Sequence, residues 1–374
     1  MRCEIMGIQE DIKKLEDELL HTQYNKATQK HVGILKAKLA KLRDEQQNPK
    51  GSGGSSGPSY AIRKTGDATV AFVGFPSVGK STLLNKLTNA NSEVGAYAFT
   101  TLTIIPGLME HKGAKIQVLD APGIISGASF GRGRGSEVLA AVRNVDLVML
   151  VVDVFSPEHI PILEKELGNV GIRLDQEKPD VKIEKHDRGG LAINKTVNLT
   201  KIDEGTITAI VGEHRIHNAA ILIREDIDAD QLIDVVLDSR SYIPTLVIVN
   251  KIDLADEENL KKTEAAIGDR PHVFVSGHKE INLEELKDKI FETLGFIKLY
   301  LKPQGGKADL DEPLIILKNS TVEDVCNRLH RDFVKNFRYA LVWGESAKHP
   351  GQRVGLDHVL KDGDILTIVV RRSL

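Results

Sequence analysis

Ile5, Ile8, Ile12, Leu15 and Leu19 recur at spacings of three and four residues, and Val32, Leu35, Leu39 and Leu42 resume the pattern after a polar break at His21–Thr28. That period is helical, and two narrow apolar stripes predict an antiparallel hairpin over residues 1–50. The stripes serve either to pair the helices or to dock them on a neighbouring domain. Gly51-Ser-Gly-Gly-Ser-Ser-Gly-Pro58 ends the pattern. Its composition predicts a flexible linker over 51–59 that leaves the hairpin free to reorient.

Beyond the linker the period changes. Val70–Val73, Ile116–Leu119, Leu147–Val152, Thr245–Val249 and His272–Val275 are short continuous apolar runs of the buried-strand type. Helical runs at Ser81–Thr88, Ser136–Asn144, Glu257–Ile267 and Leu283–Leu294 lie between them. Strands alternating with helices predict an α/β core with a parallel sheet over 60–170 and 244–297. Residues 171–243 interrupt the rhythm. Val181/Ile183 and Leu191/Ile193 alternate like the two strands of a hairpin around Asp187-Arg-Gly-Gly190. Helices at Ile202–Val211 and Asp228–Leu237 flank a strand at Ala220–Ile223, so the segment reads as an inserted α+β domain rather than a loop. After the breaker Pro303-Gln-Gly-Gly306, residues 298–374 carry short strands and one helix at Val322–Phe333.

Composition narrows the class. Of 374 residues, 41% are hydrophobic and 28% charged, which excludes a largely disordered chain. The net charge of −3 excludes a wholly basic, histone-like protein. Its distribution is uneven: ten basic against eight acidic residues in 1–50, 27 against 35 in 51–295, and thirteen against ten in 296–374. The ends are thus open to nucleic-acid contact while the centre is acidic. Cys3 and Cys326 cannot form a disulfide framework. The most apolar stretch, Val145–Phe155, is broken by Asp146 and Asp153 and is too short to span a bilayer. A cytoplasmic protein without membrane contact is expected.

Three motifs carry chemistry. Gly74-Phe-Pro-Ser-Val-Gly79-Lys80-Ser81 follows an apolar strand and opens a helix, the context of a phosphate-binding loop. Its glycines let backbone amides curl around phosphate oxygens at a helix N-terminus. Lys80 is placed to bridge the β- and γ-phosphates and Ser81 to ligate Mg²⁺. Asp120-Ala-Pro-Gly123 ends the second predicted strand, where Asp120 can hold Mg²⁺ through water and the Gly123 amide can reach the γ-phosphate. Asn250-Lys-Ile-Asp253 supplies a carboxylate for guanine N1–H and its 2-amino group, a donor pair that adenine lacks. Asn250 is expected to orient this loop and the Lys251 stem to cover the ring.

The detailed wording is more specific. Gly74-Phe-Pro-Ser-Val-Gly-Lys-Ser-Thr-Leu-Leu84, Tyr97-Ala-Phe-Thr-Thr-Leu-Thr103 and Leu119-Asp-Ala-Pro-Gly-Ile-Ile125 resemble the Obg-like GTPases. Ile216-His-Asn-Ala219, Leu232-Ile-Asp-Val-Val236, Tyr339-Ala-Leu-Val-Trp-Gly344 and Lys348-His349 resemble the developmentally regulated GTP-binding protein family within that group. The resemblance covers nearly the whole chain. It implies that 171–243 is similar to the second domain of a ribosomal S5 protein and that 298–374 is a TGS domain, a ubiquitin-like β-grasp. It implies nucleotide contacts from Gly74, Phe75, Pro76, Ser77, Val78, Gly79, Lys80, Ser81 and Thr82. Further contacts are implied from Phe99, Thr100, Thr101, Asp120, Ala121, Pro122 and Gly123, and around the base from Asn250, Lys251, Asp253, Ser276, Gly277 and His278. Thr100 or Thr101 would supply the first-switch hydroxyl; similarity favours Thr101, which joins Ser81 and Asp120 as the metal set and Lys80 and Gly123 as the catalytic set. Gly277 departs from the usual Ser-Ala wording of the last loop.

The resemblance thus implies a Mg²⁺-dependent GTPase acting as a ribosome-associated switch, with GTP and GDP as ligands, ribosomal RNA as a partner and a dedicated regulatory protein as a further one. Ile124 stands where many GTPases carry a water-orienting Gln, which predicts slow intrinsic hydrolysis. Potassium is a candidate activator, although Ser77 occupies the position of an Asn in many potassium-activated relatives. The alternative is a nucleotide-stabilised scaffold for RNA or ribosomes with incidental turnover. Gly127–Gly135, with Arg132 and Arg134, reads as a second switch, with an RNA-binding Arg-Gly tract as its rival. Tyr339 and Trp343 are expected in the core of the terminal β-grasp, with base stacking as the rival use.

Overall fold

The five apolar runs assemble into one sheet. The computed structural model describes residues 2–23, 25–47, 66–88, 105–120 and 142–371. Its main sheet has the order His272–Phe274, Thr245–Asn250, Leu147–Asp153, Ala68–Val73, Ala114–Asp120, Ile105–His111. Neighbours run parallel except for the last pair. Ala68–Val73 and Thr245–Asn250 are buried at every position, which is why they read as unbroken apolar runs. The antiparallel edge strand Ile105–His111 is absent from the expected set, because Pro106 and Gly107 disguise it; proline is tolerated at such an edge. The expected helix at Ser136–Asn144 lies largely outside the described residues, as does the linker at 51–59.

The chain divides into two compact units, Ala61–Leu163 with Pro244–Leu374, and Met1–Tyr60 with Glu164–Ile243. In the latter, the helices Arg2–His21 and Gln29–Gln47 form the expected hairpin, joined by Glu18–His31 at 3.1 Å and Glu16–Arg43 at 2.6 Å. The hairpin is not free to reorient on the inserted domain. Ala37 is fully buried in the apolar cluster of that domain, with Ile207, Ile210 and Leu232. Lys36 pairs with Asp230 at 2.6 Å, the Gln29 amide donates to the Lys201 carbonyl at 2.5 Å, and Ser239 donates to Asp44 at 3.0 Å. The close approach depends on small residues at helical spacing, Gly33, Ala37 and Ala40. A Cβ on Gly33 would stand 2.8 Å from the Thr206 methyl. Gly33→Leu should therefore destabilise the protein by about 2 kcal/mol, because overpacking outweighs the better helix propensity of Leu, about 1 kcal/mol. Urea unfolding measures this, and an unchanged midpoint would contradict the close packing.

The inserted domain corrects a second expectation. Val181–Lys185 and Leu191–Lys195 do not pair with each other. Ala219–Ile223 lies between them, antiparallel to the first and parallel to the second. Its Ile221 and Ile223 are fully buried, so the most apolar strand takes the two-sided central position and the charged, amphipathic strands take the edges. Ile172–Leu174 and Ser241–Ile243 form a short parallel pair at the base of the domain. There the Asp234 carboxylate is held bidentately by Arg173 at 2.6 and 2.7 Å and by Arg240 at 2.9 Å.

The terminal domain is a five-stranded sheet of order Leu314–Leu317, Phe296–Leu301, Ile365–Val370, Phe337–Trp343, Gln352–Val354. Its helix is shorter than expected. Val322–Leu329, started by a reciprocal Thr321–Asp324 cap, stops where His330 turns extended at φ −171°, and a separate turn of helix runs Arg331–Lys335. Cys326 is fully buried in the domain core, and burial pushes its thiol up to about 11. Tyr339 and Trp343 are not in that core. Ala340 and Val342 fill it, so the alternating aromatic residues face the other way. At the far edge of the sheet, Phe296 and Ile315 join the core of the main sheet together with Phe291. No described helix is long and apolar enough to cross a membrane.

Candidate functional site

Among the described residues, those expected to touch nucleotide lie at the carboxyl ends of the main sheet. Ala68–Val73 is flanked by Leu147–Asp153 on one side and Ala114–Asp120 on the other, so the chain winds away from it in both directions. The crevice outside such a reversal point is where α/β sheets bind ligands. Residues 74–79 connect the central strand to the helix Lys80–Leu87. Gly74 must be glycine because a Cβ would lie 2.3 Å from the Val151 carbonyl oxygen. Gly79 must be glycine twice over, with φ at +98° and a Cβ position 2.2 Å from the Asn250 amide nitrogen. Ser77 also holds a left-handed conformation, φ 65°, a strain typical of functional loops.

The loop helix starts without a side-chain cap, as does the helix Leu283–Thr293. Helices at Glu204, Ala229, Glu257 and Val322 are each capped by an Asp or Thr side chain. The helix at Lys80 has no side-chain cap, which leaves its first amides and its positive dipole end for an anion. Lys80 folds back over the loop and donates to the Gly74 and Phe75 carbonyls at 2.9 and 2.8 Å. Burial lowers its pKa below the ordinary lysine value, and the Asp120 carboxylate opposes that shift. Ser81 Oγ donates to Asp120 Oδ2 at 2.6 Å. Asp120 is buried, and its Oδ1 has no hydrogen-bond partner among the described residues. A buried, unpaired carboxylate oxygen beside a hydroxyl suits a hard cation with oxygen ligands. Val78 is buried in the core, whereas Pro76 and Thr82 are exposed on the loop and the helix.

Asn250 ties the phosphate loop to the base loop. Its amide donates to the Val78 carbonyl at 2.8 Å and its oxygen accepts from the Gly277 amide at 3.0 Å. This gives physical form to the expected orienting role. It also takes up one of the amides of the Ser276-Gly277-His278 loop. Ser276 N–H is paired with Ile281 and Gly277 N–H with Asn250, which leaves the His278 amide without an acceptor among the described residues. Gly277 packs against the phosphate-loop helix, where a Cβ would stand 3.1 Å from Leu83. Lys251 is left-handed at φ 67°, and its ammonium pairs with Asp153 Oδ2 at 2.5 Å. Asp253 follows on the short turn Ile252–Leu254, exposed and with no hydrogen-bond donor among the described residues.

Two further residues of the crevice, Asp153 and His159, belong to none of the three motifs. Asp153 ends the strand beside the phosphate-loop strand, the placement that also marks Asp120. His159 stacks on Phe75 with centroids 4.0 Å apart and an interplanar angle of 27°. No motif contains it. Phe99, Thr100, Thr101, Ala121, Pro122 and Gly123 lie outside the described residues, as do Ile124 and the Gly127–Gly135 tract.

A phosphate loop, a strand-end acid and an Asn-Lys-x-Asp base loop on this sheet, followed by a β-grasp, define a P-loop GTPase carrying a TGS domain. Family models agree. Residues 69–186 match the 50S ribosome-binding GTPase, 188–296 the C-terminal region of the MMR_HSR1 domain, and 297–370 the TGS domain. The chain is 66% identical to an uncharacterized GTP-binding protein of Methanocaldococcus jannaschii over 99% of its own length and 94% of the relative's. It is 50% identical to developmentally-regulated G-protein 3 of Arabidopsis thaliana, covering 97% and 98% of the two chains. Developmentally-regulated GTP-binding protein 1 of Xenopus laevis is 47% identical, with 96% and 98% covered. The chain belongs to the developmentally regulated GTP-binding protein family, and it is a GTP-binding protein of the Obg-like type.

Proposed function

We propose that this chain hydrolyses GTP to GDP and phosphate with Mg²⁺ and works in the cytoplasm as a switch on the translation machinery. The observation that carries the chemistry is the pair formed by Ser81 and Asp120, with the second Asp120 oxygen buried and unpaired below an uncapped helix. Ser81, Asp120 and Thr101 would hold the metal, which when bound offsets charge on the β- and γ-phosphates. The residues of the chain do the rest. Lys80 leaves the Gly74 and Phe75 carbonyls for the phosphates, the loop amides cradle them, and the Gly123 amide orders the second switch on the γ-phosphate. Phe75, Pro76, Ser77, Val78, Gly79 and Thr82 line the phosphate loop, and Phe99, Thr100, Ala121 and Pro122 line the switches. Asn250, Lys251, Asp253 and the 276–278 loop select guanine.

The ribosomal half of the reading is supported by the family description for 69–186, which names a 50S ribosome-binding GTPase, and by the basic balance of the two ends. The same reading divides the chain into a hairpin (1–50), a linker (51–59), a GTPase domain (60–170 and 244–297), an S5-like insert (171–243) and a TGS domain (298–374). A dedicated regulatory protein and potassium are its further ligands. Single-turnover GTP hydrolysis with Mg²⁺, with and without KCl, is expected to be slow and to rise with KCl. Co-sedimentation with ribosomes should differ among the GTP, GDP and nucleotide-free states. Turnover indifferent to Mg²⁺, or sedimentation indifferent to nucleotide, would favour the scaffold alternative.

A further inference from the structure

The outward face of the terminal sheet combines aromatic rings with basic side chains. None of its five strands contains an Asp or Glu. Its inward positions, Leu299, Ala340, Val342, Val354 and Leu366, are buried in the domain core. Strand alternation and register put Tyr339, Leu341, Trp343 and Arg353 on the opposite face, with Arg353 directly across from Leu341. Cations lie on both aromatic rings. The Arg353 guanidinium sits 4.1 Å from the Tyr339 ring centroid, and the Lys302 ammonium sits 4.3 Å from that of Trp343. Arg338 flanks Tyr339 at 5.7 Å. The rings are half-buried and Arg353 is exposed. The Trp343 indole N–H has no acceptor among the described residues.

We propose that this face binds single-stranded RNA, with bases stacking on the Arg353–Tyr339 and Lys302–Trp343 pairs and phosphates meeting Arg338, Arg353 and Lys302. A guanidinium held over a tyrosine is itself a flat, charged surface on which an unpaired base can stack. A duplex hides its base faces, so a sheet that binds through stacking selects single strands. The absence of acidic residues from all five strands removes the repulsion that a phosphate backbone would otherwise meet. The same face is covered at its other edge, where Phe296 and Ile315 pack into the GTPase core, so the stacking surface is confined to the last three strands. The proposal rests on the RNA-contact part of the function given above and assigns that contact to a surface.

Trp343 is the chain's one tryptophan, so its emission reports this face alone. The full chain with GTP bound is titrated with an unstructured oligouridine of about ten nucleotides. Quenching of the emission is expected, with none from a duplex of the same length. Arg353→Ala, at an exposed position that leaves folding and GTP affinity intact, should weaken oligouridine binding about ten-fold. Arg353→Lys should recover little of it, because it restores the charge without the plane. Unchanged emission, an equal response to duplex, or full affinity in Arg353→Ala would overturn the assignment. Ribosome co-sedimentation of the unaltered chain separates the two failures. A chain that sediments with ribosomes yet ignores oligouridine overturns the face alone, and one that does neither overturns the ribosomal reading as well.

Discussion

Asp253→Asn is expected to lower GTP affinity by about 10⁴-fold and to create affinity for xanthosine triphosphate. The geometry explains why so much rests on one side chain. Asp253 is presented on the turn Ile252–Leu254, immediately after a buried Asn250 and a left-handed Lys251. Asn250 bonds to both the phosphate loop and the 276–278 loop, so the turn is anchored from two sides. The carboxylate has no protein donor among the described residues and is free to accept two hydrogen bonds from guanine. An amide at that place offers one donor and one acceptor. It opposes the 2-amino group of guanine but complements the 2-oxo group of xanthine. Asp253 is exposed, so the substitution leaves the fold unchanged. Titration with fluorescent GTP and xanthosine analogues, alongside circular dichroism, measures both arms. Wild-type GTP affinity in the variant would remove Asp253 from base recognition.

The main sheet was legible because its strands are buried on both faces and therefore unbroken in sequence, as Thr245–Asn250 is. The phosphate and base motifs were legible because their glycines and acids answer to steric and hydrogen-bonding needs that leave few alternatives. Relations between distant segments were not legible. Val181–Lys185 and Leu191–Lys195 look like a hairpin because local alternation cannot tell which strand will come between them. The helical stripe of the hairpin concealed a second one. Gly33, Ala37 and Ala40 are too small to register as apolar anchors, yet they are what lets the helix press against Thr206 and Ile210. Tyr339 and Trp343 were expected in the core by size alone, whereas strand alternation gives that place to Ala340 and Val342. In the crevice, Asn250 was recognised by its motif but its bond to the Gly277 amide was not, since nothing in a loop of three residues says which amide is already taken. His159 and Asp153 are brought in only by the strand order.

Lys80→Ala and Ser81→Ala should each reduce GTP turnover by about 10³-fold or more, and for different reasons. Lys80 is a buried cation held in place by two loop carbonyls. Removing it leaves the phosphates without the mobile positive charge of the loop. The Lys80 variant should therefore bind GTP and GDP poorly. Ser81→Ala acts through the cation. Ser81 Oγ holds Asp120 Oδ2 at 2.6 Å, and the other carboxylate oxygen is already buried and unpaired. Without the hydroxyl both oxygens lack a partner among the described residues, which costs about 1–3 kcal/mol of stability. Chemical unfolding without nucleotide should show that loss for Ser81→Ala. Mg²⁺ should no longer tighten its GTP binding, while GDP measured in EDTA should bind as it does to the unaltered chain. Turnover at the original rate in either variant would refute the assignment of phosphate and metal handling to this pair. Retained Mg²⁺ dependence in Ser81→Ala would place the cation elsewhere in the crevice.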